Sequence, residues 1–328
     1  MKAMVYERYG MPNVLTHKEI EIPTPQANEV LIKVEAASVN SWDWDLLRGK
    51  PLVNRIGGIL KPKYPILGAD IAGRVEKIGG EVKNLLQGDE VFGDISGCGW
   101  GGFAEYVCVR EDALSLKSSS MTFEQAAAIP QAAVLALQGL RDKGQIQEGQ
   151  KVLINGAGGG VGTFGLQIAK FHGAEVTCVD STAKLELLKV LGADHVNDYT
   201  KEDFVQKGQM YDLILDVVGN RSIFEYKRLL KPKGTYVMIG GPMSLISQIM
   251  LFGPIISKIE KKNMKILIHK PNKDDQNILQ ELFVAGKIKP VIDRRYPLNQ
   301  VADAINYLGE GKAKGKIVIH IEHLKKGI

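Results

Sequence analysis

The stretch KVLINGAGGGVGTFGLQIAK, Lys151 to Lys170, decides how this chain folds. It opens with apolar Val152, Leu153 and Ile154. It then breaks into Gly156-Ala157-Gly158-Gly159-Gly160-Val161-Gly162 and resumes with Phe164, Leu166, Ile168 and Ala169 at roughly helical spacing. The pattern predicts a buried strand, a tight turn and a helix start. Glycines let the backbone turn sharply and let a pyrophosphate approach without meeting a Cβ. The free N–H groups and positive dipole end of the next helix stabilise the phosphates. A second strand, Glu175 to Val179, ends in Asp180 about 18 residues past Gly162, where a ribose-binding acid is expected. Ala157-x-Gly159-x-x-Gly162 therefore reads as a dinucleotide-binding turn; a Gly-rich loop in an ordinary α/β unit is the plain alternative.

The 328 residues exceed the usual size of one domain, and 45% hydrophobic with 24% charged residues is the composition of a soluble globular protein. Two domains are expected. A formal charge of +5 favours anionic ligands but lacks the dense basic tract of a nucleic-acid binder. Cys98, Cys108 and Cys178 form no close pair, which predicts no disulfide framework and no Cys-based zinc cluster. The N-terminal MKAMVYERYGMPN lacks a signal-peptide core, and no segment supplies the ~20 uninterrupted apolar residues of a membrane span. A soluble cytoplasmic protein without stable membrane insertion is expected.

From Met1 to about Ser120 the signals are β-like, at Lys2 to Tyr6, Glu29 to Ala37, Ile71 to Ile78, Asp89 to Phe92 and Phe103 to Val109, separated by Gly and Pro. Thr122-Phe123-Glu124-Gln125 spells a capping box ahead of an Ala-rich run, and Gln131 to Lys143 reads as a second helix. Beyond Lys151 strands and helices alternate through Thr235 to Ile239, which builds a parallel sheet with ligand at the carboxyl ends of its strands. Lys265 to Lys270, a helix from Asp274 to Ala285, a short strand at Val291, a helix from Asn299 to Leu308 and a strand from Lys316 to Ile321 follow. Met243 to Ile259, MSLISQIMLFGPIISKI, is strongly apolar but interrupted by Gly253-Pro254. It reads as a buried connecting helix or dimer contact, a lid over the substrate, or an interfacial membrane contact.

Taken in order, these pieces carry a resemblance. Ala36-Ala37-Ser38-Val39-Asn40-Ser41-Trp42-Asp43, Pro65-Ile66-Leu67-Gly68-Ala69-Asp70-Ile71-Ala72-Gly73, Gly88-Asp89-Glu90-Val91 and Gly101-Gly102-Phe103-Ala104-Glu105-Tyr106 precede the glycine turn. Leu191-Gly192-Ala193-Asp194 and Gly315-Lys316-Ile317-Val318 follow it. Over essentially its whole length the chain resembles the medium-chain dehydrogenase/reductase superfamily, in its zinc-free quinone and enone reductase branch. The resemblance implies an α/β fold: a GroES-like, mostly-β substrate domain at residues 1–122, completed by 271–328, and a Rossmann doubly wound parallel-sheet domain at 123–270, with the cofactor in the cleft. Asp70 stands where the family usually has Glu. Asn40 and Ala69 stand where zinc alcohol dehydrogenases of the superfamily carry Cys and His, and neither is a usual zinc ligand. No zinc is expected. The six histidines are scattered and offer no replacement.

The implied activity is hydride transfer from NAD(P)H to a quinone or an α,β-unsaturated carbonyl, with a small-molecule substrate and no nucleic acid. Asn40, matching the branch's substrate-loop Asn, is the first candidate for a contact to the substrate oxygen. Asp43 is the other catalytic candidate, and Trp44 and Tyr64 are candidates for shaping the substrate site. Asp180 favours NAD(H), whereas Ser181, Thr182 and Lys184 match positions that hold the 2′-phosphate in NADPH-dependent members; the branch resemblance favours NADP(H) with NAD(H) open. Tyr199 matches a tyrosine near the adenine end. Val217-Val218-Gly219 and Gly240-Gly241 end later strands near the nicotinamide, and Gly315 and Lys316 return to the cofactor from the C-terminal segment. Family resemblance further implies a homodimer, with an edge strand such as Met264 to Lys270 pairing with its twin. A non-catalytic NAD(P)H-binding protein is the alternative.

Overall fold

The structure, a computed structural model, describes residues 1–55 and 58–323. The chain runs through β1 (Lys2–Val5), β2 (Thr16–Glu19), β3 (Glu29–Val39), α1 (Ser41–Arg48), β4 (Asp70–Ile78), β5 (Glu90–Asp94), β6 (Tyr106–Arg110), β7 (Ser115–Leu116), α2 (Phe123–Ala127) and α3 (Pro130–Leu137). It continues with β8 (Lys151–Asn155), α4 (Gly160–Phe171), β9 (Glu175–Asp180), α5 (Thr182–Val190), β10 (His195–Asp198), β11 (Tyr211–Asp216), α6 (Ile223–Leu229), β12 (Leu230–Met238), α7 (Met243–Glu260) and β13 (Asn263–Ile266). α8 (Lys273–Val284), β14 (Ile292–Pro297), α9 (Val301–Gly309) and β15 (Lys316–His320) complete it.

Two compact units result, one of residues 1–131, 271–284 and 292–328 and the other of 132–270 and 285–291. α2, grouped with the nucleotide domain on sequence, packs on β3 and β4 in the first unit. The capping box is present: Gln125 N–H donates to Thr122 Oγ1, and the Gln125 side chain accepts from the Thr122 N–H.

In the first unit a sheet runs β14-β15-β3-β4-β5-β7, with β6 also on β3; among the described residues only β14 and β15 are parallel neighbours in it. Alternate residues of β3 (Val30, Ile32 and Val34) point into a core closed by Leu47 of α1 and Ile305 of α9. α1 is an element the sequence reading left as loop. Its first turn is tied by Asp43, which accepts from the Asn40 N–H, and Gly49 at its end takes the left-handed conformation.

The second unit is a six-stranded parallel sheet, β10-β9-β8-β11-β12-β13. From β8 the chain winds outward through β9 and β10, then returns to the other side of β8 as β11. With right-handed crossovers this reversal puts helices on both faces and opens a crevice at the carboxyl ends of β8 and β11. The expected doubly wound sheet is the one observed. α7 runs unbroken through Gly253-Pro254, contrary to the interruption read from sequence. Pro254 faces solvent, while Gly253 is buried against Met264 of β13. α7 buries Leu245, Ile249 and Ile256 and exposes Met250, Leu251, Ile255 and Ile259. Among the described residues no helix is long and apolar enough to cross a membrane.

Candidate functional site

At the carboxyl end of β8 the chain turns at Gly156, whose φ of +81° suits glycine. α4 then starts hard against that turn. A Cβ on Gly162 would sit 2.4 Å from Gly156 O and 2.5 Å from the Ala157 backbone, so only glycine allows this approach. Gly159 caps α4 without a side chain, and the N–H groups of Gly160, Val161 and Gly162 meet no acceptor among the described residues. A helix start left this way presents donors and a partial positive charge to an anion.

Asp180 ends β9 beside this turn. One carboxylate oxygen accepts from the Gly158 N–H at 2.7 Å and the other from the Ser181 N–H at 2.8 Å, with Lys184 Nζ 3.5 Å away. The acid thus braces the glycine turn and is paired with the lysine expected near it. Thr182 donates its hydroxyl to Asp198, which also accepts from the Thr200 N–H and hydroxyl; those hydroxyls bring the Asp198 pKa down to about 2. Tyr199, exposed, donates its N–H to Asp180 O at 3.2 Å. The expected set at 180–184 and 199 therefore converges around one strand end.

The later strand ends meet the turn. A Cβ on Gly156 would lie 2.7 Å from Val218, one on Gly219 would lie 2.6 Å from Gly241 Cα, and one on Gly240 would lie 2.5 Å from Val217 O. Beneath them is a buried cluster that sequence reading missed. Asp216, ending β11, accepts from Asn155 Nδ2 at 2.9 Å, the Tyr236 hydroxyl at 2.6 Å and the Gly219 N–H at 2.9 Å. Asn155 also donates to Tyr226 Oη and Asn220 Oδ1. Burial raises the Asp216 pKa while these donors oppose the rise. The available signal was a lone acid closing the apolar run Leu213-Ile214-Leu215.

The first unit holds a second buried network. Asp70, 0% exposed, accepts at one oxygen from Ser38 Oγ (3.1 Å), Asn40 Nδ2 (3.0 Å) and Lys316 Nζ (3.4 Å), and at the other from the Gln131 N–H (3.0 Å). Lys316, 2% exposed, also donates to Val39 O at 3.3 Å and to Asn40 Oδ1. Burial lowers the Lys316 pKa and raises that of Asp70, and each partner opposes the other's shift.

Three of the expected site residues are engaged within the first unit. Lys316, expected at the cofactor, directs its three Nζ protons to acceptors inside the unit. Asp43, expected as a catalytic candidate, is 1% exposed with its oxygens on the N–H groups of Asn40 and Gly68, at 2.8 and 2.9 Å, and so ties the loop at Asn40 to the one at Gly68. Trp44 is held between the Arg48 guanidinium, 4.6 Å from its ring, and Gly309 of α9, where a Cβ would fall 2.4 Å from the indole. Tyr64 meets Trp100 at 5.1 Å with the rings tilted by 53°, and Trp100 meets Trp42 edge-on at 6.0 Å; these two tryptophans were not expected to join it. Gly315, with φ +106°, turns the chain into β15. Among the described residues no three His, Cys, Asp or Glu side chains are grouped to hold a metal ion.

Residues 26–119 match the alcohol dehydrogenase GroES-like domain and residues 191–319 the zinc-binding dehydrogenase family. The chain is 35% identical to a 2-methylene-furan-3-one reductase of Solanum lycopersicum, covering 98% of this chain and 79% of that one. An NADPH-dependent alkenal/one oxidoreductase, chloroplastic, from Arabidopsis thaliana is 33% identical, with 98% and 79% covered. The solved quinone oxidoreductase of Coxiella burnetii superposes with a TM-score of 0.87 at 29% identity, covering 98% of this chain and 99% of that one.

Proposed function

The chain belongs to the medium-chain dehydrogenase/reductase superfamily, in its quinone and enone oxidoreductase branch, and from that membership we propose that it reduces a quinone or an α,β-unsaturated carbonyl with NADP(H). The observation that carries the proposal is the glycine turn, with its unclaimed N–H groups at the start of α4 and Asp180 and Lys184 beside it. The residues fit the cofactor: Gly160, Val161 and Gly162 would donate to the pyrophosphate, and the loops at Val217–Gly219 and Gly240–Gly241 offer backbone to the nicotinamide half. When bound, the cofactor supplies the hydride.

NADP(H) is preferred over NAD(H) because Asp180 is already engaged by two backbone N–H groups and paired with Lys184. Its charge is offset, and the lysine stands ready for a 2′-phosphate, with Ser181 and Thr182 next to it. On the substrate side the proposed donor to the carbonyl oxygen is Asn40, and the ring cluster of Tyr64, Trp100 and Trp42 is proposed as an aromatic wall. The reaction is read as zinc-independent because an amide at Asn40 and a methyl at Ala69 stand where the superfamily's zinc enzymes have a thiolate and an imidazole. A cytoplasmic homodimer completes the proposal, a second copy adding to the open edge of the sheet at β13.

The test is a fluorescence titration of metal-free protein with NADPH and NADH, followed by 1,4-benzoquinone or 2-cyclohexen-1-one while the absorbance of reduced cofactor is tracked. Binding and oxidation of NADPH are expected. Binding without oxidation of either cofactor by any activated carbonyl would point instead to a non-catalytic NAD(P)H-binding protein.

A further inference from the structure

The two ends of an asparagine amide are nearly alike in shape, and only their partners decide which way the group faces. At Asn40 the partners allow one answer. An ammonium donates and never accepts, so the atom on Lys316 is Oδ1; a carboxylate only accepts, so the atom on Asp70 is Nδ2, at 3.0 Å. Turning the amide over would set NH2 against ammonium and C=O against carboxylate, where the charged partners are 2% and 0% exposed. Asp70 is itself fixed by Ser38 and the Gln131 N–H. One of the two Nδ2 protons goes to Asp70. The other has no acceptor among the described residues, and Asn40 keeps 7% of its surface exposed.

We infer that Asp70 and Lys316 are positioning residues that hold the Asn40 amide as a one-way hydrogen-bond donor toward the substrate oxygen. The inference rests on the proposed reductase reading. Hydride addition to the β-carbon leaves oxidised cofactor and moves an electron pair onto the carbonyl oxygen; water then protonates the α-carbon. The negative charge gathers where a fixed N–H can stabilise it without reorganising. The Lys316 charge on Oδ1 also polarises the amide and strengthens its remaining N–H. Stability alone does not account for such an arrangement, because a buried ion pair adds little that a well-packed apolar pair would not. Lys316 and Asp70 lie 246 residues apart, and β15 and β4 bring them together on either side of β3.

The test is a double-mutant cycle of Asn40→Ala and Lys316→Met, read as kcat and KM for 2-cyclohexen-1-one and as the Kd for NADPH. Asn40→Ala should lower kcat about 100-fold, as loss of one such donor does. Lys316→Met should lower it about 10-fold or more while the NADPH Kd stays within about 2-fold. Added to Asn40→Ala, it should cost nothing further, because its effect passes through the amide. A merely structural lysine would multiply the two losses, and that result would overturn the inference while leaving the reductase reading intact. A wild-type protein that turns over no enone or quinone would overturn both. If Lys316→Met does not fold, the charge-balanced pair Asp70→Asn with Lys316→Met takes its place, and a kcat within about 2-fold of wild type would refute the positioning role.

Discussion

Replacing Asp43 with asparagine is expected to remove a pH dependence of stability that the native fold carries. The carboxyl group is 1% exposed in the first turn of α1, and burial pushes its pKa from the ordinary 3.8 up to about 7. The N–H groups of Asn40 and Gly68 and the Lys316 charge oppose that rise, while Asp70 adds to it. Unfolded, the same group releases its proton near pH 4. Between about pH 4 and 7 the native state thus holds one proton more than the unfolded chain, and stability falls as pH rises. The contribution is complete below about pH 4 and lost as pH passes about 7. At about 1.4 kcal/mol for each tenfold change in proton activity, the whole span is about 4 kcal/mol. Asparagine does not titrate. It leaves one N–H facing its own amide NH2, a cost that is equal at every pH and cancels from the comparison. The Tm of Asp43→Asn minus that of wild type should therefore increase by roughly 10 °C between pH 4 and 8. Calorimetric scans at constant ionic strength would read it. A difference that stays flat across that range would refute the link between burial and the raised pKa.

Tyr236→Phe keeps the ring but removes the 2.6 Å bond to buried Asp216. It should cost about 2 kcal/mol in thermal unfolding, and a loss below about 0.5 kcal/mol would deny Tyr236 its place in the cluster. Gly162→Ala drives a Cβ to 2.4 Å from Gly156 O. It is expected to cost about 1–3 kcal/mol of stability and, in a fluorescence titration, to weaken NADPH binding measurably. Lys184→Met should raise the Kd for NADPH about 10-fold and leave NADH nearly unchanged; equal loss for both cofactors would show that Lys184 supports the turn and not the phosphate.

The parts of this molecule that were legible are those whose cause is local. The glycine turn needs its residues within one loop, the Thr122–Gln125 box within four residues, and the parallel sheet announces itself by alternation. α1 was not legible because Ser41, Trp42, Asp43 and Trp44 are indifferent helix formers; the helix is held by Asp43 on Asn40 and by Trp44 against α9. The Gly253-Pro254 pair misled in the opposite direction, since α7 keeps Pro254 on its solvent side. Among the site residues, Asp180 and Lys184 could each be picked out from their position at and just after the end of β9, though on sequence they are opposing cofactor signals and only the structure pairs them. The partners of Asn40 could not, for a lysine 276 residues away leaves no periodic trace. Family resemblance brought Lys316 into view, and only packing revealed that its charge is turned inward.

β15 lies inside the first unit's sheet, between β14 and β3, with Ile317 opposite Val39 and His320 opposite Ala36. During synthesis this strand leaves the ribosome only after residues 132–270, which make up most of the second unit, have emerged. The middle of the chain can settle while its beginning waits, with β3 paired to β4 on one side and its other edge open along residues 36–39. Lys316 arrives on that same strand. The nascent chain thus builds its glycine turn early and the Lys316 contact to Asn40 late, so a ribosome stalled before β15 would carry a polypeptide with the Gly156–Gly162 turn in place and the Asn40 amide without its lysine.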